Sequence, residues 1–389
     1  MGRKGLRSGY TTGACAAAAA KAAAQLLLVR GYSNTPLLPV AGTEIPFPDG
    51  TRVTFTVHHS EYNADDHTAF ASIIKDAGDD PDVTNGAEIC AEIKIARKLG
   101  NAEVSALPHF QASGLVIKGG KGVGIVTKPG LAIPIGEPAI NPIPRKMISD
   151  AVSEALSEMA VRSSAPPSFQ PSKFVVEVTI SVTDGEQLAK KTLNERLGIT
   201  GGLSILGTTG IVRPLSAEAW TATISSSLDV AKAMGRDEIV LSAGRTSEKA
   251  HMKKYGLPEE SYVMMGDYLE FALRETARSG FSKISLCAQW AKMLKIAMAT
   301  PQTHVRHGAI DIEMTISFLK GLGLDFSKSS PFNTAREIFD YIRDYSASSL
   351  QQYAGVCNAA KSYAAGIANP AELTVLLVSY DGDIIARSK

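Results

Sequence analysis

The residues best suited to bind a ligand lie in segment 198–214, which reads G-I-T-G-G-L-S-I-L-G-T-T-G-I-V-R-P. Its glycines permit positive φ angles and let the backbone approach a ligand closely. The threonine hydroxyls beside them can donate and accept hydrogen bonds. The same spacing also fits a buried strand between two turns, and it matches neither the dinucleotide-binding fingerprint nor the P-loop. On the residues alone, the ligand loop and the buried strand are equal alternatives.

A second candidate binding site consists of cations in two segments rich in glycine and proline, 118–131 and 136–147. Prolines hold the second segment extended, because the residue before a proline is kept out of the helical region. A stiff loop that carries several cations suits a ligand with several carboxylates. The alternative is a solvated surface loop, and the density of glycine and proline around the charges favours the ligand.

The loop at residues 75–86 carries four aspartates, but their spacing does not predict a metal site. A calcium loop places a ligand at every second position and ends in a glutamate. Aspartate beside glycine and proline is typical of turns, and these carboxylates would equally hold nearby basic side chains in place. We therefore expect no metal held by the protein.

Other catalytic signatures are missing from the sequence. There is no G-x-S-x-G nucleophile turn and no H-E-x-x-H zinc motif. The four cysteines lie far apart, which argues against a zinc site or a disulfide framework and predicts a reducing, cytoplasmic location. A net charge of +1 gives no general attraction to nucleic acid or to a membrane, so neither is an expected partner.

Residues 14–29 are predicted to form a helix, because alanine has the highest helix propensity and Thr12 is placed to cap it. Basic residues before this run resemble those of a signal peptide. Lys21 interrupts the run and alanine dominates its first half, which favours a helix of the mature protein. Its small side chains either pack tightly against a sheet or let a flat ligand lie on the helix, and packing is favoured.

The expected fold class is α/β plus α+β, in two domains with a C-terminal extension. Residues 1–165 read as an α+β domain with alternating strands such as 53–57 and 89–95. The linker is placed at 163–172, which is rich in serine and proline. Repeated strand–turn–helix units predict a doubly wound, Rossmann-like parallel sheet at 172–300. Residues 301–389 read as helices followed by a hairpin that turns at Asp381–Gly382.

Local patterns predict the units of the doubly wound domain. A strand is expected at 174–182, followed by a helix at 186–197. Helical spacing of apolar residues places Trp220 on the apolar face of the next helix. Asp267 and Glu270 are expected to form a capping box.

Ligands in such parallel sheets bind beyond the carboxyl ends of the strands. In segment 198–214, residues 203–206 are then expected to be a strand and 207–210 the loop at its end. The strand ends of this domain carry small or polar residues, which are Asp184, Gly185, Gly207, Thr208, Thr209, Gly210, Ser242, Gly244, Gly266 and Asp267. A nucleotide-like cofactor is expected there, but the residues do not choose between a dehydrogenase, a transferase and a kinase.

Five long segments, in this order along the chain, carry a family resemblance. They are R-S-G-Y-T-T-G-A-C-A-A-A-A-A-K-A-A, K-D-A-G-D-D-P-D-V-T-N-G, G-G-K-G-V-G-I-V-T-K-P-G-L, G-E-P-A-I-N-P-I-P-R-K-M and G-G-L-S-I-L-G-T-T-G-I-V-R-P. Together they resemble the CbiD-type cobalt-precorrin-5B C1-methyltransferases of cobalamin biosynthesis. The resemblance implies methyl transfer from S-adenosyl-L-methionine to C1 of a cobalt-containing corrin precursor, which gives cobalt-precorrin-6A.

The resemblance also implies how the candidate residues divide. The strand-end residues named above would bind S-adenosylmethionine. The substrate, an anionic tetrapyrrole, would contact Thr11, Thr12, Gly13, Lys21, Lys121, Lys128, Arg145, Lys146 and Arg213. The catalytic candidates are Asp184, Thr209 and His304. Cobalt belongs to the substrate, and a homodimer is one arrangement that the resemblance allows.

Two segments depart from the family pattern. Residues 287–297 read C-A-Q-W-A-K-M-L-K-I-A where the family has G-H-I-G-K-L-x-K-L-A, and residues 302–305 read Q-T-H-V instead of N-T-H-S. These changes leave a non-catalytic corrinoid-binding protein as an alternative function. Another nucleotide-cofactor enzyme on a Rossmann-like domain is the third hypothesis.

Overall fold

The computed structural model describes residues 6–32, 41–96, 114–161, 175–214, 216–300, 310–327, 331–346 and 348–389. They divide into two compact units, Met1–Ser216 and Ala217–Lys389. The predicted linker at 163–172 lies outside the described residues. The division comes instead at Ser216, because the strand after the predicted linker pairs with strands of the first unit.

The first unit contains three helices and thirteen strands within the described residues. The helices are α1 (Thr12–Tyr32), α2 (Pro142–Val161) and α3 (Gly185–Ala189). The strands are β1 (Gly9–Tyr10), β2 (Gly42–Pro46), β3 (Arg52–Thr56), β4 (His59–Asn63), β5 (Thr68–Ile74), β6 (Glu88–Ala96), β7 (Leu115–Gly119), β8 (Gly122–Val123), β9 (Ile125–Val126), β10 (Val175–Val182), β11 (Ile199–Thr200), β12 (Gly202–Leu203) and β13 (Ile211–Val212).

A five-stranded sheet of order β4-β5-β6-β10-β7 forms the centre of the first unit. Strand β10 pairs antiparallel with β6 and parallel with β7, so the carboxyl ends of β5, β7 and β10 lie at the same end of the sheet. The strand predicted at 174–182 is therefore present. Its assignment to the second, doubly wound domain is wrong, because its partners are β6 and β7.

Helix α1 is the core helix of this unit. The alanines of its first three turns are at most 1% exposed, and they cluster with apolar residues of the sheet and of α2. By length and composition, Thr12–Arg30 is long and apolar enough to cross a membrane, but 89% of that window is buried inside the structure. The small side chains therefore serve packing, and a flat ligand lying along this helix is excluded.

The second unit contains seven helices and five strands within its described part. The helices are α4 (Ala217–Ala233), α5 (Arg245–Tyr255), α6 (Leu269–Arg278), α7 (Trp290–Ala297), α8 (Ile312–Gly321), α9 (Ala335–Tyr345) and α10 (Ser349–Ala368), with a 3₁₀ turn at Glu259–Ser261. The strands are β14 (Glu238–Ser242), β15 (Tyr262–Met264), β16 (Lys283–Gln289), β17 (Glu372–Val378) and β18 (Ile384–Arg387).

The sheet of the second unit has the order β15-β14-β16-β17-β18. Its first four strands are parallel, and β18 returns antiparallel as the predicted hairpin. Alternate residues of β14 face opposite sides: Ile239 and Leu241 join the larger apolar core, whereas Val240 joins a smaller one with Met252 of α5. The predicted parallel strands are thus present, but the first of them is β14, at residue 238, and not a strand near residue 172.

Two predicted local features are wrong. The helix expected at 186–197 ends at Ala189, where the Thr192 hydroxyl donates to the Ala189 carbonyl and accepts from the Asn194 amide, so the chain turns. The capping box expected from Asp267 and Glu270 is not formed, because α6 begins at Leu269 and Asp267 contacts Lys292 instead.

Candidate functional site

The N-terminal motif and the glycine-rich loop meet in the first unit. Strand β1 pairs antiparallel with β13, with Gly9 opposite Val212. The Gly13 amide donates to the carbonyl of Leu206 at 3.0 Å, and the Leu206 amide donates to Oγ1 of Thr12 at 2.9 Å. Thr11, rather than Thr12, caps α1, because its Oγ1 accepts from the Ala14 amide at 3.1 Å. The amides of Gly13 and Ala14 are therefore already used by the protein.

Gly207 shows why this loop needs glycine. Its φ angle is +129°, and a Cβ there would lie 2.4 Å from the side chain of Thr11.

The strand expected at residues 203–206 is present only in part. Strand β12 covers Gly202–Leu203, and Ile205 adds an isolated bridge to Ile140. The loop at 207–210 is present as expected. Thr208 and Thr209 are exposed on it, with Thr209 Oγ1 accepting from the Ile211 amide at 3.2 Å.

The aspartate-rich loop lies against the same N-terminal motif. The Tyr10 amide donates to the Asp76 carbonyl at 2.7 Å, and the Arg7 guanidinium binds the Asp76 carboxylate. The hydrogen bond from Arg7 lowers the pKa of Asp76. Asp82 lies 2.7 Å from the buried ammonium of Lys75. These carboxylates hold basic side chains, and within the described ranges no group of three or more His, Cys, Asp or Glu residues could hold a metal ion.

The two segments rich in glycine and proline, 118–131 and 136–147, also contact the glycine-rich loop. Strand β12 pairs with β8, and the Asn141 amide donates to the Ile205 carbonyl at 3.0 Å. A Cβ on Gly185 would lie 2.2 Å from the Gly122 carbonyl. All five segments therefore converge at the end of the sheet where β5, β7 and β10 finish. We call this region the loop edge; it consists of residues 7–13, 75–86, 119–145, 182–185 and 202–213.

Several of the predicted substrate cations are used inside the protein. Lys21 is 2% exposed and lies 2.8 Å from Glu154, so its expected contact with substrate is wrong. The Nε of Arg145 donates to the Ile140 carbonyl at 2.9 Å, and burial lowers the pKa of this guanidinium. Lys128 donates to the Arg196 carbonyl at 3.3 Å, and Lys146 pairs with Asp150 at 2.7 Å.

Two of the predicted cations stand apart from this group. Lys121 and Arg213 are exposed, and their side chains make no hydrogen bond or ion pair with any other residue that the structure describes. Lys121 precedes β8 and Arg213 follows β13, so both lie on the loop edge. They are the cations of this region that remain available to a ligand.

Asp184 is the most unusual of the catalytic candidates. It is exposed, and its φ angle of 57° places a residue other than glycine in the left-handed region. Such conformations are strained and concentrate at functional sites. Thr209 lies on the loop edge with it. His304 is outside the described residues.

The second unit has its own candidate site at the carboxyl ends of β14 and β15. Ser242 is the last residue of β14 and is followed by Ala243 and Gly244, while Gly266 and Asp267 follow the neighbouring strand β15. The Ser242 hydroxyl is fully buried without a hydrogen-bond partner in the described structure. Nothing lies within 4 Å of where a Cβ on Gly244 would be, so the backbone there is open.

Lys292, on the first turn of α7, joins these two strand ends. Its Nζ donates to the carbonyl of Ala243 at 2.6 Å and lies 3.0 Å from the Asp267 carboxylate. Lys295 is buried beside it, and desolvation lowers its pKa. Lys292 was not among the expected site residues; its position in the first turn after a parallel strand is the sequence signal that could have indicated this role. The expected cofactor residues thus divide between units, with Asp184, Gly185 and 207–210 in the first and the others in the second.

Trp220 also lies at this second site. The helical spacing predicted it on the apolar face of α4, yet 43% of it is exposed. Its ring stacks on Tyr268 with centroids 6.4 Å apart and an interplanar angle of 30°. The indole is the group closest to a Cβ built on Gly266, at 3.5 Å.

Comparisons with known proteins agree with the sequence resemblance. The profile of the CbiD family matches residues 1–214. A protein of Desulfotalea psychrophila is 47% identical over 386 residues, which are 98% of each chain. One of Geobacter metallireducens is 45% identical over 398 residues and 99% of each chain. Both are named cobalt-precorrin-5B C(1)-methyltransferase. A crystal structure of the cobalamin biosynthesis protein cbiD from Archaeoglobus fulgidus is 29% identical, covering 75% of this chain and 79% of that one, with a TM-score of 0.37.

Proposed function

Because the chain belongs to the CbiD family, we propose that it is the enzyme that methylates C1 of cobalt-precorrin-5B in cobalamin biosynthesis. The observation that carries this conclusion is the 47% identity over 98% of both chains with a protein of that name. The family profile covers residues 1–214, and the whole loop edge lies within them. A methyltransferase reaction needs a methyl donor, for which S-adenosyl-L-methionine is the proposed molecule.

The loop edge is the proposed substrate site. A corrin precursor is a flat macrocycle with a rim of acetate and propionate carboxylates, which suits a glycine-rich surface with local cations. Arg213 and Lys121 are exposed there and make no side-chain bond within the described part of the chain. A guanidinium binds a carboxylate with two parallel hydrogen bonds, so Arg213 is the stronger of the two contacts. The cobalt ion enters as part of the substrate.

The carboxyl edge of the second unit is the proposed donor site. In parallel sheets, a glycine after the first strand lets a cofactor approach the backbone, and an acidic residue about 20 positions later accepts hydrogen bonds from ribose hydroxyls. Gly244 and Asp267 occupy the corresponding places on β14 and β15. The open backbone at Gly244 and the unpartnered hydroxyl of Ser242 fit a bound nucleoside.

These residues act by binding and orientation. Bound S-adenosylmethionine supplies a methyl group activated on a sulfonium, and correct placement of two reactants lowers the barrier of such a displacement. Lys292 holds Asp267 and the Ala243 carbonyl in a fixed relation. Asp184 is the proposed group for any proton that the reaction releases, because its exposed carboxylate stands on a strained backbone at the loop edge. The altered segment 287–297 forms the end of β16 and α7 and keeps Lys292, whose two contacts join the strand ends of the proposed donor site.

The test is a reaction of the purified protein with cobalt-precorrin-5B and S-adenosylmethionine, followed by mass spectrometry. The expected product is heavier by one methyl group, and carbon-13 in the donor methyl should appear at C1. Tetrapyrrole binding without any methylated product would instead identify a corrinoid-binding protein. Failure of S-adenosylhomocysteine to bind at millimolar concentration, with or without the corrin precursor, would reject the proposed donor.

A further inference from the structure

We propose that Trp220 and Tyr268 form the stacking surface for the adenine ring of an adenine nucleoside at the carboxyl edge of the second unit. The inference rests on the proposed function, because S-adenosylmethionine is such a nucleoside. It adds an aromatic wall that the expected strand-end residues did not contain.

The two rings form one continuous aromatic surface. Their interplanar angle of 30° and centroid distance of 6.4 Å describe an offset stack. Trp220 is 43% exposed, whereas the other tryptophan of the chain, Trp290, is fully buried. Any base can stack on an exposed aromatic ring, because every base has a π-face. Trp220 therefore offers a purine an apolar face that the protein core leaves unused.

The polar neighbours of this surface match the rest of a nucleoside. Asp267 lies in the sequence between Gly266 and Tyr268. The indole of Trp220 lies beside Gly266, 3.5 Å from where a Cβ would be. Its carboxylate is held by the Lys292 ammonium at 3.0 Å. A carboxylate beside an aromatic ring can accept from the ribose hydroxyls while the base stacks. The aromatic surface would thus contact the base, and the adjacent carboxylate of Asp267 would contact the ribose.

The location agrees with the general behaviour of parallel sheets. Ligands bind outside the carboxyl ends of the strands, where the strand order reverses. In this sheet β14 lies between β15 and β16, so the strand order reverses between β14 and β16. Gly266 and Asp267 follow β15 on the other side of β14, and Lys292 of α7, the helix that follows β16, lies 3.0 Å from the Asp267 carboxylate. Gly266 has a φ angle of +59° and lacks a side chain, which keeps the indole face accessible from the strand end.

The two tryptophans make a direct test possible in the wild-type protein. Acrylamide quenching of fluorescence reports mainly on Trp220, because Trp290 is fully buried. Saturating S-adenosylhomocysteine or adenosine should lower the quenching constant at least about twofold, whereas methionine should leave it unchanged. In Trp220→Phe the remaining fluorescence should not respond to S-adenosylhomocysteine.

Calorimetry on variants completes the experiment. Trp220→Ala should raise the Kd for S-adenosylhomocysteine about tenfold, and Trp220→Phe, which keeps an aromatic ring, less than about threefold. Tyr345→Ala removes another exposed aromatic ring, 78% exposed, and should leave the Kd unchanged. If the ligand binds the wild type but neither the quenching constant nor the Trp220→Ala affinity changes, the stacking assignment is wrong and the donor assignment stands. If the wild type binds no S-adenosylhomocysteine, both are wrong.

Discussion

The ammonium of Lys21 lies 2.8 Å from the carboxylate of Glu154, which joins the core helix α1 to α2. Lys21 is only 2% exposed, and it also donates to the Glu44 carbonyl at 2.9 Å. This lysine interrupts an alanine run that is otherwise buried, so its charge is compensated inside the fold. The contact makes it a structural residue of the first unit.

Lys21→Met should therefore destabilise the first unit by about 1–2 kcal/mol, because the Glu44 carbonyl loses its donor and Glu154 keeps only Arg52 as a partner among the residues described. Urea unfolding followed by circular dichroism measures the change. Lys146→Met removes an exposed lysine that pairs with Asp150 and should change the stability by less than about 0.5 kcal/mol. Equal effects of the two substitutions would contradict the assignment.

Gly207→Ala should disturb the cap of α1. The new methyl group would lie 2.4 Å from the Thr11 side chain, at a φ angle of +129°. We expect a loss of about 3 kcal/mol, from backbone strain and from displacement of the capping hydroxyl. Gly201→Ala is the matched control, since its φ is +79° but nothing lies within 4 Å. It should cost only about 1 kcal/mol of backbone strain, and a similar loss for both variants would show that the Thr11 contact is unimportant.

Arg213→Ala and Arg145→Ala should affect different properties. Arg213 is exposed, so its removal should raise the KM for the corrin substrate about tenfold, by loss of a charge-assisted hydrogen bond, with little change in Tm. Arg145 is bonded to the Ile140 carbonyl, so its removal should lower Tm first. Steady-state kinetics and thermal unfolding separate the two. Unchanged substrate affinity in Arg213→Ala would exclude it from the site.

His251 should make the second unit sensitive to acid. The imidazole is 2% exposed and shares a 3.1 Å hydrogen bond with the Tyr262 hydroxyl, and burial lowers its pKa from 6.5 to about 4. Between these values the unfolded chain binds a proton that the folded one does not. Stability is therefore complete above pH 6.5 and falls as the pH drops towards 4, by roughly 3 kcal/mol at most.

Urea midpoints measured at several pH values should show this slope in the wild type. His251→Phe should remove most of it, because phenylalanine does not titrate, although the variant loses the bond to Tyr262. His59→Gln changes an exposed histidine of the first unit and serves as the control. A slope of the same size in wild type and His251→Phe would assign the acid sensitivity to other groups.

Local patterns were sufficient to predict many elements of the fold. Alternation indicated β3 and β6, alanine content indicated α1, and a turn at Asp381–Gly382 indicated the final hairpin, all of which the structure contains. The partners of a strand are set by distant residues. Strand β10 is followed by a short helix, as in a strand–helix unit, and its membership of the first sheet follows only from β6 and β7.

In the candidate site, too, residue types could be interpreted from the sequence, whereas tertiary contacts could not. Glycines and cations pointed to segments that the structure brings together at the loop edge, because these residue types reflect what the backbone and the charge can do. Whether a cation meets a carboxylate within the protein depends on the tertiary structure. Lys21 and Arg213 are alike in charge, yet one is buried against Glu154 and the other is exposed without a side-chain partner in the described structure. Trp220 fits a helical apolar pattern and still lies at the surface.

The pairing of β1 with β13 has a consequence for the growing polypeptide. The amides of Thr11 and Gly13 at the start of α1 donate to the carbonyls of Gly210 and Leu206, which the ribosome adds almost 200 residues later. At typical rates of bacterial or eukaryotic synthesis this delay is roughly 10–40 s. Throughout that time the amides of Thr11 and Gly13 lack their native acceptors, although β5, β6 and α2, which cover the alanines of α1, have already been made. The start of α1 is therefore completed only after residues 206–212 have left the exit tunnel.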